Sequence, residues 1–313
     1  LGGGLAWGKI VNIVGDRSTG KTLLACEIGA VCKLILGDKF NHHFDDAECG
    51  FSFDTVAMYD YEMLPEDGYR SMTVEDFMTR ISRSVKDARE AGIKRWIGFV
   101  DSFDALSSEA EMGRHEKMKA AKEAGTKFDE GTYNLEKQRQ INQFFRTELK
   151  SMLGDDYMLI VISQTRENIG VSFRKPKRHC ENVLNFYSDQ IIWLSETEKY
   201  RSKGRVTGIS VKAQINKNKI GKPFREAFFD ILFDYGVDDI AGNVDYFFDL
   251  KTDTGKSRKD KVVEWDDKTF KNRGKLIQYI DDNKQGARLK KQVVEKWNKI
   301  EDEIAPKRKP KYA

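Results

Sequence analysis

The feature that most constrains this chain is a loop signature that stands between a strand and a helix. Residues 15–22 fit the pattern G-x-x-x-x-G-K-[ST] in full. The apolar run 10–14 before them predicts a buried strand, and residues 23–30 after them predict a helix. Such a loop wraps backbone N–H groups around phosphates, with a lysine on the β- and γ-phosphates and a hydroxyl on Mg²⁺. The sequence therefore predicts a nucleoside triphosphate site formed by Gly15, Asp16, Arg17, Ser18, Thr19, Gly20, Lys21 and Thr22.

The alternation of strands and helices predicts the fold class. The length of 313 residues allows one core of about 200 to 250 residues and a smaller appendage. Residues 1–240 are predicted to form an α/β core with a mostly parallel central sheet flanked by helices. Its second strand is placed at residues 55–60. The shorter, more charged elements beyond predict a small C-terminal α/β domain at residues 241–313, with a basic tail.

Composition bears on the compartment. Charged residues make up 33% of the chain, and no apolar run approaches the roughly 18 residues of a membrane span. No signal peptide opens the chain, and its four cysteines lack C-x-x-C spacing, so we expect a cytoplasmic protein of a bacterial cell or a phage-infected host. His42, His43 and Cys49 are a conceivable metal site, but a solvated loop is the favoured interpretation. Because the first residue is Leu1, we also expect that a natural N-terminal segment is missing.

Three further residues are assigned to nucleotide chemistry from their places at predicted strand ends. Asp101 closes one apolar run and is expected to hold Mg²⁺ through water, since strand ends lie beside the phosphate loop in such sheets. Gln164 closes another and is expected to contact the γ-phosphate and signal its presence to the following loop. Glu62 follows the predicted second strand and is assigned as the base that polarises water, although a solvated loop carboxylate is the alternative on pattern alone.

Together these positions resemble the RecA-type homologous recombinases of bacteria and phages. The resemblance covers nearly the whole chain and is most specific at residues 1–69 and 155–236. The motifs that carry it include residues 1–10, 163–173, 182–187, 217–224 and 229–236. It implies a RecA-like P-loop NTPase core in which Glu62 is the catalytic glutamate and Tyr69 stacks on adenine, with Glu66 in the same site. It also implies that Lys217 and Lys219 reach the ATP of the neighbouring subunit.

A basic segment after Gln164 predicts a DNA site. Cations neutralise phosphates and apolar side chains wedge between bases, so a loop that holds both suits a sequence-tolerant single-strand binder. Two arginines that are seven residues apart on a predicted helix share one face and match family positions on the DNA backbone. Asn182 matches the end of the family's second DNA loop. The expected DNA-binding residues are Arg139, Arg146, Arg166, Ile169, Arg174, Lys175, Lys177, Arg178 and Asn182.

The sequence thus predicts an ATP- and Mg²⁺-dependent recombinase that forms a helical filament on single-stranded DNA and exchanges strands with duplex DNA, with no membrane partner. A hexameric helicase on the same core and a regulatory filament without strand exchange remain open alternatives. The charged segment 109–130 and the pair Cys180-Glu181 depart from the family pattern, so a divergent member is expected.

Overall fold

The computed structural model describes residues 4–64, 70–125, 136–165, 181–258 and 261–308. The chain divides into two compact units. The first comprises Leu1–Ser195 with Ala213–Ala227, and the second comprises Glu196–Lys212 with Phe228–Ala313. The boundary that we predict at residue 240 falls within the second unit.

A mostly parallel sheet forms the centre of the first unit. Its strands are β1 (Ile10–Gly15), β2 (Phe40–Asp46), β3 (Arg95–Asp101), β4 (Tyr157–Gln164), β5 (Gln190–Ser202) and β6 (Arg205–Asn218). They are ordered β2-β3-β4-β1-β5-β6, and every pair from β2 to β5 in that order is parallel. All residues of β1 are buried, as expected for a parallel strand covered on both faces. The predicted fold class, α/β with a large parallel sheet, is confirmed.

Helices cover this sheet. They are α1 (Lys21–Leu36), α2 (Thr55–Tyr59), α3 (Val74–Glu90), α4 (Glu109–Glu123), α5 (Glu136–Phe144), α6 (Lys150–Leu153) and α7 (Glu181–Tyr187), with a π-helical turn at Phe145–Leu149 between α5 and α6. The amphipathic helix α3 begins after Thr73, whose hydroxyl accepts the Asp76 amide. It buries Phe77, Ile81 and Val85 at helical spacing.

The second strand of the sheet is not where the sequence predicts it. Residues 55–60, predicted as a strand, form the short helix α2, which Asp54 caps by accepting the Ala57 amide at 2.9 Å. The second strand is β2, which contains His42 and His43, so the predicted solvated loop there is wrong. Its pattern hides a strand because polar side chains are buried with partners; for example, Asp45 accepts the Ser71 amide at 2.8 Å.

The second unit has its own core. Its elements besides the far ends of β5 and β6 are β7 (Glu226–Leu232), β8 (Gly236–Asp238), α8 (Asp239–Phe247), β9 (Val263–Trp265), β10 (Lys268–Phe270), α9 (Arg273–Asp282) and α10 (Gly286–Glu303). β7 and β8 pair antiparallel, as do β9 and β10. Val244, Trp265, Leu276 and Leu289 are among the buried residues that pack together.

A buried ionic network joins α8 and α9 to β7 within this unit. Lys251 lies 2.7 Å from Asp230 and 3.1 Å from Asp245, and Arg273 lies 2.6 Å and 2.5 Å from the same carboxylates. Burial opposes ionisation of Asp230, but the charges of Lys251 and Arg273 outweigh it, and the pKa of Asp230 lies below its ordinary value. Two cations therefore balance two buried carboxylates; Lys251 is buried with them, whereas Arg273 is partly exposed.

Removal of one cation from the network should destabilise the second unit. We expect Lys251→Met to lower the free energy of unfolding by about 3 to 5 kcal/mol, because Arg273 alone then faces two buried carboxylates and one negative charge is left uncompensated. A lowered pKa stabilises the fold above the unfolded pKa of about 4, so the wild-type contribution should be lost only as pH falls below about 4. Urea unfolding from pH 3 to pH 8 measures both, and the exposed Lys256→Met is the control; equal losses in the two variants would contradict the account.

Candidate functional site

The phosphate loop is shaped by glycine at its first position and by left-handed backbone near its end. It connects β1 to α1, and Ser18 and Gly20 have φ of 61° and 80°. A Cβ on Gly15 would lie 2.6 Å from the Thr19 hydroxyl and 2.8 Å from the Leu194 carbonyl oxygen, so only glycine fits. Gly20 precedes α1 and provides no side-chain cap, which leaves the first amides of α1 to a ligand. This cradle fits a phosphate group.

Lys21 is buried within the loop. Its Nζ donates to the Asp16 carbonyl oxygen at 2.7 Å, and the Thr19 hydroxyl donates to the same oxygen at 2.9 Å. Burial lowers the pKa of Lys21, while the neighbouring carboxylates, Asp101 foremost and then Glu48, oppose that shift. An ammonium group that has lost part of its hydration attracts phosphate more strongly than one in bulk water.

Thr22 and Asp101 are brought together as the sequence predicts. The Thr22 hydroxyl donates to Asp101 Oδ2. Burial raises the pKa of Asp101 to about 6, with Glu48 adding to the rise and the Thr22 hydrogen bond and Lys21 opposing it. A hydroxyl and a carboxylate are the oxygen donors that Mg²⁺ prefers, and Mg²⁺ usually keeps several waters besides. Within the described ranges no group of three or more His, Cys, Asp or Glu side chains has the arrangement of a metal site.

Glu48 is the site residue that the sequence interpretation missed. It follows β2, and its carboxylate accepts the Gln164 side-chain amide at 2.7 and 2.9 Å and the Ser102 hydroxyl. Its amide donates to the Asp101 carbonyl oxygen at 3.0 Å. The turn is held by Asp46, whose carboxylate accepts the amides of Gly50 and Phe51 at 3.2 and 3.1 Å. The carboxyl ends of β2, β3 and β4 therefore converge on one carboxylate.

Glu62 does not follow a strand, so the reason for assigning it is lost. It lies after α2 between Tyr61 and Met63, and both of these residues bind the His42 ring. The Tyr61 hydroxyl contacts His42 Nδ1 at 2.5 Å, and the Met63 carbonyl oxygen contacts Nε2 at 2.8 Å. His42 lies four residues before the end of β2, about 13 Å along the strand from its carboxyl edge. The placement of Glu62 beside the second strand's carboxyl end is wrong, and Glu48 occupies that place.

Residues at the end of β4 are tied to the phosphate loop. The Thr165 amide donates to the Gly15 carbonyl oxygen at 3.3 Å, and the Thr165 hydroxyl donates to the Asp16 carboxylate. The Gln164 amide donates to Asp104 at 2.8 Å. Thr165, which directly precedes residue 166 in sequence, is thus attached to the loop that we predict to hold phosphate.

Only part of the predicted DNA and nucleotide set can be placed. Arg139 on α5 and Arg146 in the π-helical turn are both exposed, whereas the nearby Ile141 and Phe145 are buried. Asn182 is exposed on α7. Outside the described residues lie Glu66, Tyr69, Arg166, Ile169, Arg174, Lys175, Lys177 and Arg178.

Lys217 and Lys219 lie near the amino end of β1, whereas the phosphate loop follows its carboxyl end. Lys217 Nζ donates to the Phe186 carbonyl oxygen at 3.1 Å, and the Lys219 amide donates to the Asp189 carbonyl oxygen at 2.9 Å. The Asp189 amide in turn donates to the Ile10 carbonyl oxygen at 2.8 Å, which fixes this region at the start of β1. The six residues of β1 span about 17 Å before the loop begins.

Comparisons with known proteins agree with this architecture. Residues 99–238 match the sequence model described as the RecA N-terminal domain. Protein RecA of Trichodesmium erythraeum (strain IMS101) is 28% identical over 304 residues, which cover 94% of this chain and 76% of that protein. The chain is therefore similar to the RecA-type family over most of its length. Protein RecA of Caulobacter sp. (strain K31) and of Colwellia psychrerythraea (strain 34H) are 27% and 26% identical, and the matched parts span 63% and 64% of those two proteins.

No helix among residues 4–64, 70–125, 136–165, 181–258 and 261–308 is both long and apolar enough to cross a membrane.

The close packing around Gly15 predicts that a larger residue there disrupts the phosphate loop. Gly15→Ala should lower the free energy of unfolding by about 1 to 3 kcal/mol and abolish nucleotide binding, because the added methyl group overlaps Thr19 and the Leu194 backbone. Gly50→Ala is the matched control, since a Cβ there meets nothing within 4 Å. Thermal unfolding and titration with a fluorescent ATP analogue provide the two measurements. Nucleotide binding by Gly15→Ala at the strength of Gly50→Ala would contradict the assignment.

Proposed function

We propose that this chain is an ATP-dependent DNA recombinase that assembles as a filament on single-stranded DNA and catalyses homologous pairing and strand exchange. One observation carries the proposal: the side-chain amide of Gln164, just before the predicted DNA loop, binds Glu48 beside the phosphate loop. A polar contact at that place gives nucleotide a direct means of acting on DNA affinity. The similarity to Protein RecA of several bacteria supports the same role.

The residues present fit ATP and Mg²⁺. The Gly15 cradle and the uncapped start of α1 suit phosphates, Lys21 supplies positive charge, and Thr22 with Asp101 supplies oxygen donors for Mg²⁺. Bound Mg²⁺ would neutralise charge on the phosphates. Because Lys21 donates to the Asp16 carbonyl oxygen, it must leave that acceptor to reach a phosphate.

Glu48 replaces Glu62 as the proposed general base. A carboxylate at the end of β2, held by the Asp46 turn and close to Asp101, is suited to orient an attacking water. Its present partners, Gln164 and Ser102, occupy its oxygens. We therefore propose that the γ-phosphate draws the side-chain amide of Gln164 away from Glu48. This movement would release Glu48 for catalysis and shift the residues that follow Gln164.

Lys217 and Lys219 are proposed to act on the nucleotide of a neighbouring subunit. Their place beside the start of β1, about 17 Å of strand away from the chain's own phosphate loop, makes contact with the same chain's nucleotide unfavourable. A cation supplied from a neighbour stabilises transition-state charge as an arginine finger does. This arrangement would restrict hydrolysis to the assembled form.

Hydrolysis should distinguish the two glutamates. Glu48→Gln should reduce single-stranded-DNA-dependent ATP turnover by about 10²- to 10⁴-fold while ATP binding persists, because an amide cannot accept the proton of water. Glu62→Gln, the matched control, should retain turnover within about twofold, since it lies beside the middle of β2. A phosphate-release assay with both variants decides it. Loss of turnover in Glu62→Gln with Glu48→Gln unimpaired would restore the original assignment.

Mixing experiments should reveal action between subunits. A Lys217→Ala, Lys219→Ala protein lacks the donated cations and a Glu48→Gln protein lacks the base, so each should be inactive alone. A mixture should regain part of the turnover at interfaces that pair an intact loop with intact lysines, an effect that can reach about 10³-fold. Light scattering establishes co-assembly. Co-assembly without regained turnover would show that the lysines do not act across the interface.

The proposed function itself is tested by strand exchange. Unlabelled single-stranded DNA coated with the protein should displace the identical strand from a labelled duplex in the presence of ATP and Mg²⁺, and a heterologous duplex should remain intact. ATP turnover and single-strand binding without exchange would favour the regulatory filament. Closed rings on DNA in electron micrographs, with unwinding of a forked duplex, would favour the helicase.

A further inference from the structure

The backbone at the end of β4 is held by a carboxylate that has no role in the proposals above. The Gln164 backbone amide donates to Asp104 Oδ2 at 2.8 Å. This contact is separate from the bond between the Gln164 side chain and Glu48, so two different acids hold one residue. Asp104 is not among the residues expected from the sequence to bind nucleotide or DNA. A hydrogen bond to a carboxylate is about twice as strong as one between neutral groups.

The segment that contains Asp104 is anchored in the core. The side chain of Phe103 is buried, and its ring centroid lies 5.6 Å from that of Phe77. The Phe103 amide donates to the Ile162 carbonyl oxygen at 3.2 Å, which ties the segment to β4. Because Phe103 is packed in this way, a displacement of the Gln164 backbone breaks its bond to Asp104 instead of carrying Asp104 along.

The next residue is held by a second carboxylate. The Thr165 hydroxyl donates to the Asp16 carboxylate, and the carbonyl oxygen of Asp16 accepts Lys21 Nζ at 2.7 Å. Lys21 must leave that carbonyl oxygen to reach a phosphate, so a bound nucleotide disturbs the residue that holds Thr165. We refer to the two contacts, Gln164 with Asp104 and Thr165 with Asp16, as the carboxylate latch.

The carboxylate latch lies where the charge of a nucleotide acts on it. Burial lowers the pKa of Lys21, and Asp104 and Asp16 are among the four carboxylates whose charges oppose that shift. Lys21 is the residue expected to meet the phosphates, and ATP has net negative charge even as its Mg²⁺ complex. Phosphates beside Lys21 therefore repel both carboxylates of the latch. The latch is favoured without nucleotide and weakened with it.

We propose that Asp104 is a positioning residue which, together with Asp16, holds the end of β4 in its nucleotide-free arrangement and keeps DNA affinity low until nucleotide binds. The inference rests on the proposed function, because it concerns how the signal of the γ-phosphate passes from Gln164 to the residues expected to bind DNA. The contact of Gln164 with Glu48 detects the phosphate, whereas the latch determines how few molecules are open without it. A ligand that binds only the open arrangement loses affinity in proportion to that fraction.

The test separates the hydrogen-bond acceptor of Asp104 from its charge. Asp104→Ala lacks both, whereas Asp104→Asn lacks the charge but keeps an oxygen that can accept the Gln164 amide. Thr165→Val removes the hydroxyl of the second contact at nearly constant volume. Asp87→Ala removes an exposed acid of α3 that belongs to neither site, and it is the control for lost negative charge. Circular dichroism melting verifies that each variant folds.

Two titrations of the full chain provide the measurements. Anisotropy of a labelled single strand, with and without a non-hydrolysable ATP analogue and Mg²⁺, gives the two DNA affinities of each variant. A fluorescent ATP analogue, titrated without DNA, gives the nucleotide affinity. A coupling between two ligands is reciprocal, so a change in the latch must appear in both titrations.

Asp104→Ala should bind the single strand without nucleotide about tenfold more tightly than the wild type, the effect of one hydrogen bond to a charged group. Its affinity with nucleotide should stay within about twofold, so its response to nucleotide shrinks. Asp104→Asn should keep the nucleotide-free affinity within about threefold of the wild type, and Thr165→Val should shift in the direction of Asp104→Ala. Without DNA, Asp104→Ala should also bind the ATP analogue more tightly than Asp104→Asn, which a damaged fold would not produce.

Equal nucleotide-free DNA affinity in Asp104→Ala and Asp104→Asn would overturn the proposal. So would a gain in Asp104→Ala that is the same with and without nucleotide, or a gain that Asp87→Ala reproduces. If Asp104→Ala does not fold, Thr165→Val decides, and an unchanged nucleotide-free affinity in that variant overturns the latch. A wild-type chain whose DNA affinity ignores nucleotide defeats the proposed function and the latch with it, whereas a wild-type response that the latch variants leave intact defeats the latch alone.

Discussion

The balance between the positive charge of Lys21 and the surrounding carboxylates determines what the nucleotide site can bind. One buried ammonium group is surrounded by the charges of Asp101, Glu48, Asp16 and Asp104. Burial raises the pKa of Asp101 to about 6, and repulsion from the nearby Glu48 carboxylate adds to the rise. A triphosphate alone would add to that repulsion. On our proposal Mg²⁺ is therefore required to bring the phosphates beside these carboxylates.

The carboxyl ends of the central strands, where the nucleotide site lies, also contain the proposed connection to DNA. Gln164 and Thr165 end β4, and they bind Glu48, Asp104 and the phosphate loop rather than one another. A change at the phosphates therefore has a short physical route to residue 166 and beyond. Lys217 and Lys219 lie at the other end of the central strands, and on our proposal a second copy of the chain completes the site. Hydrolysis and DNA binding would then both depend on assembly.

Sequence patterns predicted the elements whose burial follows a simple period. β1 and β4 are continuous apolar runs, and α3 has helical spacing, so their places were evident. The place of β2 was not evident, because Asp45 and Asp46 are buried and His42 is half-buried, each with specific partners that only the tertiary fold supplies. Because β2 was not predicted, residues 55–60 were taken as the second strand, and the catalytic role was assigned to Glu62, which follows them. An acid shortly after Phe44-Asp45-Asp46 was the available signal for Glu48.

The central claim is that the nucleotide controls DNA affinity through Gln164. The most direct measurement is the affinity for labelled single-stranded DNA with and without a non-hydrolysable ATP analogue and Mg²⁺, in the wild type and in Gln164→Ala. The account predicts that nucleotide raises wild-type affinity by about tenfold or more, within the usual range of coupling between sites, and that Gln164→Ala loses most of this effect. Equal wild-type affinity in the two states, or full coupling in Gln164→Ala, would contradict it.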